Sequence, residues 1–475
     1  MTDVILFLPE TVCLLAALAI FVAQVAGARY TVAWGLSLAG GLAAVAACIH
    51  TWPLSGEPFF PGIYRVDFFS QLVKTFLAAG FLVVAAVARQ PRTTREEAWP
   101  ELPLFLLLST VGMMMLVSAT ELLTLYISME LSAYPLYVAV ALHRSRAVSG
   151  ESSTKYMVQG MVASAVSLYG LSFLFGLAES TYFVDIADQL PTLSTQPLFW
   201  LALLLALAGF FFKLAVFPFH FWAPDTYQTA SHEVAAFIAS ASKVAAVAVL
   251  CRIVSLAMPQ EDPAAARAVL MWMSVLAMTL GNLAALRQGD FKRLLGYSAV
   301  AHGGYALIGV QTLDGTGLTS ALFYGLGYAA VSFLCFLVVC EVARDRDLVT
   351  IESLAGLHRR SPVLAALLLV GLLGLIGLPP TVGFTGKWFL FSAAIAQGQF
   401  ALVLVAAVNS AVALYYYLLV MRQAYFAPAE DEAPLRAGGA SLAAAAAATV
   451  VVLAMGAAPG WFWDRSAEAV AALLG

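Results

Sequence analysis

Long and almost uninterrupted apolar runs recur along this chain of 475 residues. A helix needs about 20 mostly apolar residues to cross a bilayer, and only helices and closed barrels satisfy their backbone groups there. The runs lack the short alternating segments of a barrel. Only 11% of the residues are charged, against about 25% in soluble domains. The pattern predicts an all-α polytopic membrane protein, and it argues against a soluble fold, a nucleic-acid binder and a secreted disulfide scaffold.

The runs predict about 14 transmembrane helices. The start, Met1-Thr2-Asp3, lacks the positive region of a signal peptide, so we expect the first span to be retained. The 101–142 stretch is nearly unbroken, and it is divided here into two predicted spans. The predicted spans are 4–26, 31–50, 64–88, 101–118, 120–142, 153–178, 196–222, 232–256, 266–286, 293–312, 316–342, 361–394, 400–422 and 437–458.

Basic residues are distributed unevenly between the two sides of the predicted spans. Of 24 Lys and Arg residues, 16 follow odd-numbered spans and 4 lie on the other side. By the positive-inside rule, the basic loops face the cytoplasm and both termini face outward, which suits a bacterial inner membrane. The 16 are Arg29, Arg89, Arg92, Arg95, Arg144, Arg146, Lys155, Arg287, Lys292, Arg293, Arg344, Arg346, Arg359, Arg360, Arg422 and Arg436; the 4 are Arg65, Arg252, Arg267 and Arg465.

The remaining four cations are lysines inside predicted spans: Lys74, Lys213, Lys243 and Lys387. A lysine at the bilayer centre costs about 2.5–3.5 kcal/mol, so these residues need a reason. Snorkelling to a headgroup fits the last three poorly, because apolar sequence lies on both sides of each. The alternative is a buried lysine that exchanges protons, since burial weakens its hold on a proton. Lys74 lies seven residues after Asp67, and this spacing favours structural pairing with neighbouring helices.

Five further titratable side chains lie within the apolar runs. Glu130 lies in the middle of its span and needs a cation, for which Lys213 is a candidate. His302 precedes Gly303-Gly304, and packing and proton transfer are both open for it. His220 follows Lys213 by one or two helical turns and is a supporting candidate. Glu10 and Glu341 are expected at helix ends or in packing contacts.

Prolines interrupt two spans that lie five apart in the order. Pro218 and Pro224 interrupt span 7, and Pro379-Pro380 interrupts span 12, each near a buried lysine. Because five is odd, spans 4–8 and 9–13 must run in opposite directions, so the sequence predicts two inverted five-helix repeats with broken helices 7 and 12. The predicted units are an N-terminal three-helix segment (1–100), the repeats (101–258 and 264–425), and a C-terminal helix and tail (437–475).

Seven sequence stretches, which follow one another along most of the chain, match the pattern of a known protein family. They are "LPETVCLLAAL", "MELSAYPLYVAVAL", "KYMVQGMVASAVSLYG", "FKLAVFPFHFWAPDTYQ", "SASKVAA", "RLLGYSAVAHGGYALIG" and "GLPPTVGFTGKWFLF". With them the chain resembles subunit N of respiratory complex I, the proton-translocating NADH–quinone oxidoreductase, within the antiporter-like family. The resemblance implies proton-transfer roles for Glu130, Lys213, Lys243 and Lys387. Lysine at 387 favours subunit N over subunit M, and the length disfavours subunit L.

One loop departs from the family pattern. After "APDTYQ" the family usually reads Ala-Pro-Thr-Pro-Val, whereas this chain reads Ala230-Ser231-His232-Glu233-Val234. One interpretation is a solvated helix cap with Ser231 at the N-cap, and the other is a proton-uptake group. The departure is also compatible with a relative of complex I that takes electrons from a donor other than NADH.

The chain carries no pattern expected of redox chemistry or metal binding. It has no Cys-x-x-Cys, no phosphate-binding glycine loop and no clustered metal ligands. We expect no cofactor in this chain, and the resemblance implies NADH, flavin, iron–sulfur clusters and quinone in partner subunits. The expected partners are antiporter-like subunits, small quinone-module subunits and lipid. The expected function is outward proton transfer from Lys213 and Lys243 through His302 to Lys387. The alternatives are a cation/proton antiporter subunit or the membrane subunit of a hydrogenase-type complex.

Overall fold

The computed structural model describes residues 5–54, 60, 62–257, 264–343, 346–429, 433–435 and 437–474. Within these ranges every regular secondary-structure element is a helix. Twelve helices there are long and apolar enough to cross a membrane. The helix Phe291–Val310 and the pair Pro362–Ile376 and Val382–Ala396 supply the remaining two predicted spans. The predicted fold, a polytopic membrane protein of about 14 helices, is confirmed. Arg344, Arg436 and residue 258 lie outside the described residues.

The membrane helices are numbered α1 to α14, and a and b mark the two parts of an interrupted helix. They are α1 Leu8–Val25, α2 Tyr30–Thr51, α3 Phe68–Val87, α4 Glu101–Ser118, α5 Leu122–Ala141, α6 Arg146–Ala178, α7a Pro197–Leu214, α7b Trp222–Thr229, α8a His232–Ala239, α8b Ala241–Ala257, α9 Ala264–Ala285, α10 Phe291–Val310, α11 Gly315–Val342, α12a Pro362–Ile376, α12b Val382–Ala396, α13 Phe400–Phe426 and α14 Gly439–Ala457. A further helix, α15, covers Gly460–Leu474, and short helices cover Phe183–Asp188, Leu190–Leu193 and Leu357–Arg360.

Acidic caps fix the starts of several helices. The Glu121 side chain accepts a hydrogen bond from the Thr124 amide and starts α5, which separates α4 from α5 in the nearly unbroken 101–142 stretch. Asp67, Asp290 and Asp314 cap α3, α10 and α11 in the same way. A carboxylate at these positions satisfies a free amide and complements the positive end of the helix dipole.

The loops meet at two opposite ends of the helix bundle. At one end Thr94 bridges to His143, Asp290 bridges to Thr350, and the Arg144 Nε lies 2.8 Å from Asp347 Oδ1. This end, built from loops after odd-numbered helices, is called the basic face. At the opposite face Tyr64 bridges to Ala119, Glu121 bridges to Tyr182, and Arg65 donates to the Ala472 carbonyl. The alternation of the predicted spans is therefore correct.

The buried pair formed by Lys74 and Glu10 lies near the opposite face. The Lys74 Nζ lies 2.8 Å from Glu10 Oε1, with both side chains fully buried, and it donates to the Tyr64 hydroxyl at 3.1 Å. This pair joins α1 to α3, which agrees with the structural role expected for Lys74. Asp67 pairs instead with Arg252 of α8b at 2.9 Å.

Two cations that the sequence placed in loops are buried. Arg252 is 2% exposed and also donates to the Val117 carbonyl, whereas Lys292 in the first turn of α10 is fully buried. Buried cations among the described residues therefore include more than the four lysines predicted inside spans, because helix ends that flank a loop pack against neighbours. The predicted tail is also more ordered than expected, since α15 packs against α3 and α11.

Candidate proton-transfer site

Both predicted helix breaks are present, and each leaves a half-helix that ends inside the bundle. In α7 the chain leaves the helix after Leu214, with Ala215 at φ 59° and Pro218 in the connecting segment. In α12 it leaves after Ile376, with Gly377 at φ 88° and Pro379-Pro380 in the turn. The end of a half-helix exposes unpaired carbonyls and the negative end of its dipole.

A lysine ammonium occupies the end of each half-helix. The Lys387 Nζ donates to the carbonyl of Ile376, the last residue of α12a, at 2.9 Å. The Lys243 Nζ donates to the carbonyl of Lys213, next to the last residue of α7a, at 3.1 Å. Because a helix C-terminus attracts cations, the two breaks create similar lysine sites in the two predicted repeats.

Two different serine hydroxyls bind Glu130 and Lys213. The Lys213 Nζ donates to Ser132 Oγ at 2.7 Å, and Ser132 lies on α5 with Glu130. The Glu130 carboxylate accepts a hydrogen bond from Ser164 of α6. Among the described residues no ion pair within 4.0 Å joins Glu130 to Lys213, although Glu130 lies within electrostatic reach of it. The predicted pairing of Glu130 with Lys213 is therefore indirect. Glu130 is a residue of α5, and Lys213 binds Ser132 of the same helix.

A small internal cavity lies between the first and second halves of the site. Its lining includes Lys243 of α8b and His302 of α10. The free volume is about 10 Å³, which is close to what one water molecule needs. A single water in this cavity would be lined by both side chains.

Aromatic rings and hydroxyl groups lie between His302 and Lys387. Its Nδ1 lies 2.6 Å from the Tyr324 hydroxyl, and its ring centroid lies 5.9 Å from that of Tyr305. The Lys387 Nζ lies 4.5 Å from the Tyr305 ring centroid and donates to Ser410 Oγ at 3.2 Å. The Tyr305 hydroxyl lies 2.9 Å from the same Ser410 oxygen.

Five of the eight predicted titratable site residues lie in this one row. In order they are Glu130, Lys213, Lys243, His302 and Lys387, and none is more than 8% exposed. His220 lies in the α7 break against Phe217 and Phe221, and its Nδ1 has no hydrogen-bond partner among the described residues. Among the described residues, no hydrogen bond or ring contact joins His220 to the row.

The other two, His232 and Glu233, lie at the basic face in a separate cluster with Lys292. Ser231 occupies the N-cap position of α8a, but its side chain makes no capping hydrogen bond. His232 and Glu233 are 2% and 6% exposed, so the interpretation of this segment as a solvated cap is wrong.

Sequence reasoning missed the hydroxyl groups that link the titratable side chains. These residues are Ser132, Ser164, Tyr305, Tyr324 and Ser410. Tyr305 could have been found, because it lies three residues after His302 and therefore shares a helix face with it. The others could not, because their partners lie on different helices. Among the described residues, no three His, Cys, Asp or Glu side chains are grouped to hold a metal ion.

Comparisons with known proteins agree on one family. A family model described as "NADH:quinone oxidoreductase/Mrp antiporter, TM" matches residues 119–413, which is more than half of the chain. A protein of Opitutus terrae named NADH-quinone oxidoreductase subunit N 2 is 46% identical over 418 residues, which are 87% of each chain. A protein of the same name from Syntrophobacter fumaroxidans is 47% identical over 371 residues, 78% of each chain.

The structure is also similar to a chain of respiratory complex I from Thermus thermophilus. The two share 33% sequence identity with a TM-score of 0.83, over 97% of this chain and 99% of that chain. The family match, the identities and the shared fold together show that this chain belongs to the NADH:quinone oxidoreductase/Mrp antiporter family, as a subunit N of NADH-quinone oxidoreductase.

Proposed function

We propose that this chain moves protons across the membrane along the row from Lys213 to Lys387, driven by redox chemistry in other subunits of an NADH–quinone oxidoreductase. The observation that carries the proposal is the continuous placement of buried titratable groups between two half-helix ends. A purely structural role does not explain several costly cations that are held by neutral hydroxyl and carbonyl oxygens. The antiporter alternative is not favoured, because the similar relatives reported above are named subunit N.

Glu130 sets the state of Lys213 in this mechanism. When the carboxylate is ionised and close, it stabilises the protonated lysine; when it is drawn away, Lys213 releases its proton towards Lys243. Glu130 lies between Ile127 and Tyr134, which are 61% and 50% exposed, so its helix face is open to a neighbouring subunit. That placement supports control of Glu130 from outside the chain.

The later steps use the second half of the row. The proton passes from Lys243 through the small cavity to His302, and from His302 past Tyr305 to Lys387. Lys387 then releases it towards the opposite face. Each group is neutral or cationic by turns, and the hydroxyls of Tyr324 and Ser410 fix the positions of His302 and Lys387.

The surroundings of the chain follow from the same proposal. NADH, flavin, iron–sulfur clusters and quinone belong to partner subunits, and this chain contacts antiporter-like and small quinone-module subunits and lipid. The basic face lies in the cytoplasm of a bacterial cell, with both termini outside the inner membrane. The units 1–100, 101–258, 264–425 and 437–475 are proposed as three N-terminal helices, two inverted repeats and a C-terminal segment.

Replacing His302 by alanine tests the connection between the two halves. We expect proton translocation by the complex to fall about 10-fold or more, because a positioned acid–base group is lost. The measurement is NADH-driven proton uptake by inverted membrane vesicles, with electron transfer to an artificial acceptor as the check on assembly. The control is His358→Ala, because His358 stacks on Tyr425 at the basic face, away from the row. Equal proton uptake in the two variants would remove His302 from the path.

Replacing Gly377 by alanine tests the geometry of the Lys387 site. A left-handed conformation costs a residue with Cβ about 1–2 kcal/mol, and this Cβ would lie 3.0 Å from Lys387 Cδ and 3.2 Å from the Gly383 carbonyl oxygen. We therefore expect lower thermal stability and impaired proton translocation. Gly398→Ala is the matched control, since Gly398 has φ 72° but nothing within 4 Å of a Cβ. We expect it to lose stability only; a similar loss of translocation in both variants would mean that strain alone is responsible.

A further inference from the structure

A polar cavity of about 420 Å³ opens at the basic face, outside the row described above. Its wall contains Arg89 and Arg92 after α3, Glu233 of α8a, Glu341 of α11, and the first residues of α14. A cavity of this size and polarity has room for several water molecules. We name it the vestibule.

Glu233 is the buried group in the vestibule that has a free acceptor atom. Its side chain is 6% exposed, and its Oε2 has no hydrogen-bond partner among the described residues. A buried carboxylate oxygen without a donor is costly, so a water or a proton belongs there. Glu341, in contrast, accepts a hydrogen bond from the Gly438 amide at 3.1 Å.

The geometry around His232 excludes it as the acceptor. Its Nε2 lies 3.3 Å and 3.1 Å from the carbonyl oxygens of Ala343 and Arg346, so Nε2 must carry the hydrogen. Its Nδ1 lies 3.2 Å from the Lys292 Nζ and accepts a hydrogen bond from that ammonium. His232 is thus held neutral with both nitrogens used.

Lys292 gives Glu233 a buried counter-charge. Its Nζ donates to the Ala230 carbonyl at 2.7 Å as well as to His232, and it lies within electrostatic reach of Glu233. The charged and titratable groups that face Glu233 are His232 on its own helix, Lys292 of α10, Cys340 and Glu341 of α11, Arg89 and Arg92 after α3, and Tyr30 of α2.

We propose that the vestibule is an aqueous chamber from which Glu233 takes up protons on the basic face. A proton moves from a hydronium ion in the chamber to Glu233 Oε2, and it leaves again towards the interior of the bundle. In the first step an O–H bond of hydronium breaks, an O–H bond forms on Glu233, and a water molecule remains. On release the Glu233 O–H bond breaks, and the proton passes by way of water to the neutral amine of Lys243, where an N–H bond forms. Lys243 lies ten residues further along α8, about 15 Å away at the rise of a helix, with the break at Ser240 between them. This uptake role rests on the proposed proton translocation, whereas the access of water to the chamber does not.

Thiol labelling of the assembled complex tests the chamber itself. Ser441→Cys places a thiol on the wall of the vestibule in the first turn of α14, where the helix dipole favours the reactive thiolate. We expect a membrane-impermeant thiol reagent to label it from the basic face. Because the native Cys340 lines the same cavity and is 9% exposed, Ser441→Cys is made in a Cys340→Ser background, and Cys340→Ser alone is the unlabelled control. The native Cys335 and Cys251 are fully buried in the bundle and serve as internal controls that stay unlabelled. A Ser441→Cys thiol that is labelled only after denaturation would overturn the chamber, because lipid or a partner subunit would then fill it.

The role of Glu233 is tested by Glu233→Gln in the same complex. We expect the rate of proton translocation to fall several-fold, with the largest loss at high pH on the basic face, where protons are scarce. Glu97→Gln, which removes an exposed carboxylate at the same face, is the control and is expected to leave the rate unchanged. An unchanged rate and pH profile in Glu233→Gln would overturn the uptake role. Failure of the translocation proposal would show instead as normal pumping in Lys213 variants, with the labelling result unaffected.

Discussion

Replacing Lys213 by arginine is expected to reduce proton translocation about as strongly as replacing it by alanine, by about 10-fold or more. Arginine keeps the positive charge beside Glu130 but holds its proton at any physiological pH. Loss of function in both variants therefore assigns proton exchange, and not charge alone, to this position. The measurement is NADH-driven proton uptake by inverted vesicles, normalised to the amount of assembled complex.

The control for Lys213 is the exposed Lys155. Its side chain is 45% exposed and lies 2.6 Å from Glu151 one helical turn away on α6. A surface pair of this kind contributes about 0–1 kcal/mol, so Lys155→Arg is expected to behave as the unmodified complex. Normal translocation in Lys213→Arg would contradict the proposal, because a fixed charge would then be sufficient.

Replacing Lys387 by methionine is expected to separate proton uptake from proton release. The variant removes the ammonium that binds the Ile376 carbonyl and Ser410, so protons can still load the first half of the row but cannot leave it. In a single-turnover experiment we expect the initial proton uptake from the basic face to persist and release at the opposite face to be lost. Lys213→Ala is the matched comparison, and there we expect neither step.

The Lys387→Met substitution is also expected to lower the stability of the folded chain. Removing the donor leaves the buried end of α12a with an unsatisfied carbonyl, at a cost of about 1–3 kcal/mol. If release at the opposite face continues at the normal rate in an assembled Lys387→Met complex, Lys387 is not on the path out of the membrane. Loss of both uptake and release would place it earlier in the row than we propose.

The fold was predictable to a large extent because each main signal was local. Apolar runs of sufficient length give the spans, prolines give the breaks in α7 and α12, and an isolated lysine in an apolar run is visible directly. The break between α8a and α8b was not predictable in this way. Ser240 lies there without a nearby proline, with ψ at −77°.

The contacts of the site were harder to predict, because they depend on which helices become neighbours. The sequence suggested a direct pair between Glu130 and Lys213, whereas Ser164 and Ser132 hold them separately. Nor did it indicate that Lys243 would bind the carbonyl of Lys213 itself. Lys292 was counted as a loop cation because it lies next to a turn. It is buried because α7b packs against α10 and because His232 of α8a contacts its ammonium group.

The central claim is that Glu130 and Lys213 take part in proton translocation, and the number of protons moved per NADH oxidised tests it most directly. The measurement uses the complete complex in liposomes, with Glu130→Ala and Lys213→Ala compared with the unmodified protein and with Lys155→Arg. We expect proton translocation to fall sharply in the first two and to remain normal in the last. NADH oxidation coupled to unchanged proton pumping in both Glu130→Ala and Lys213→Ala would contradict the claim.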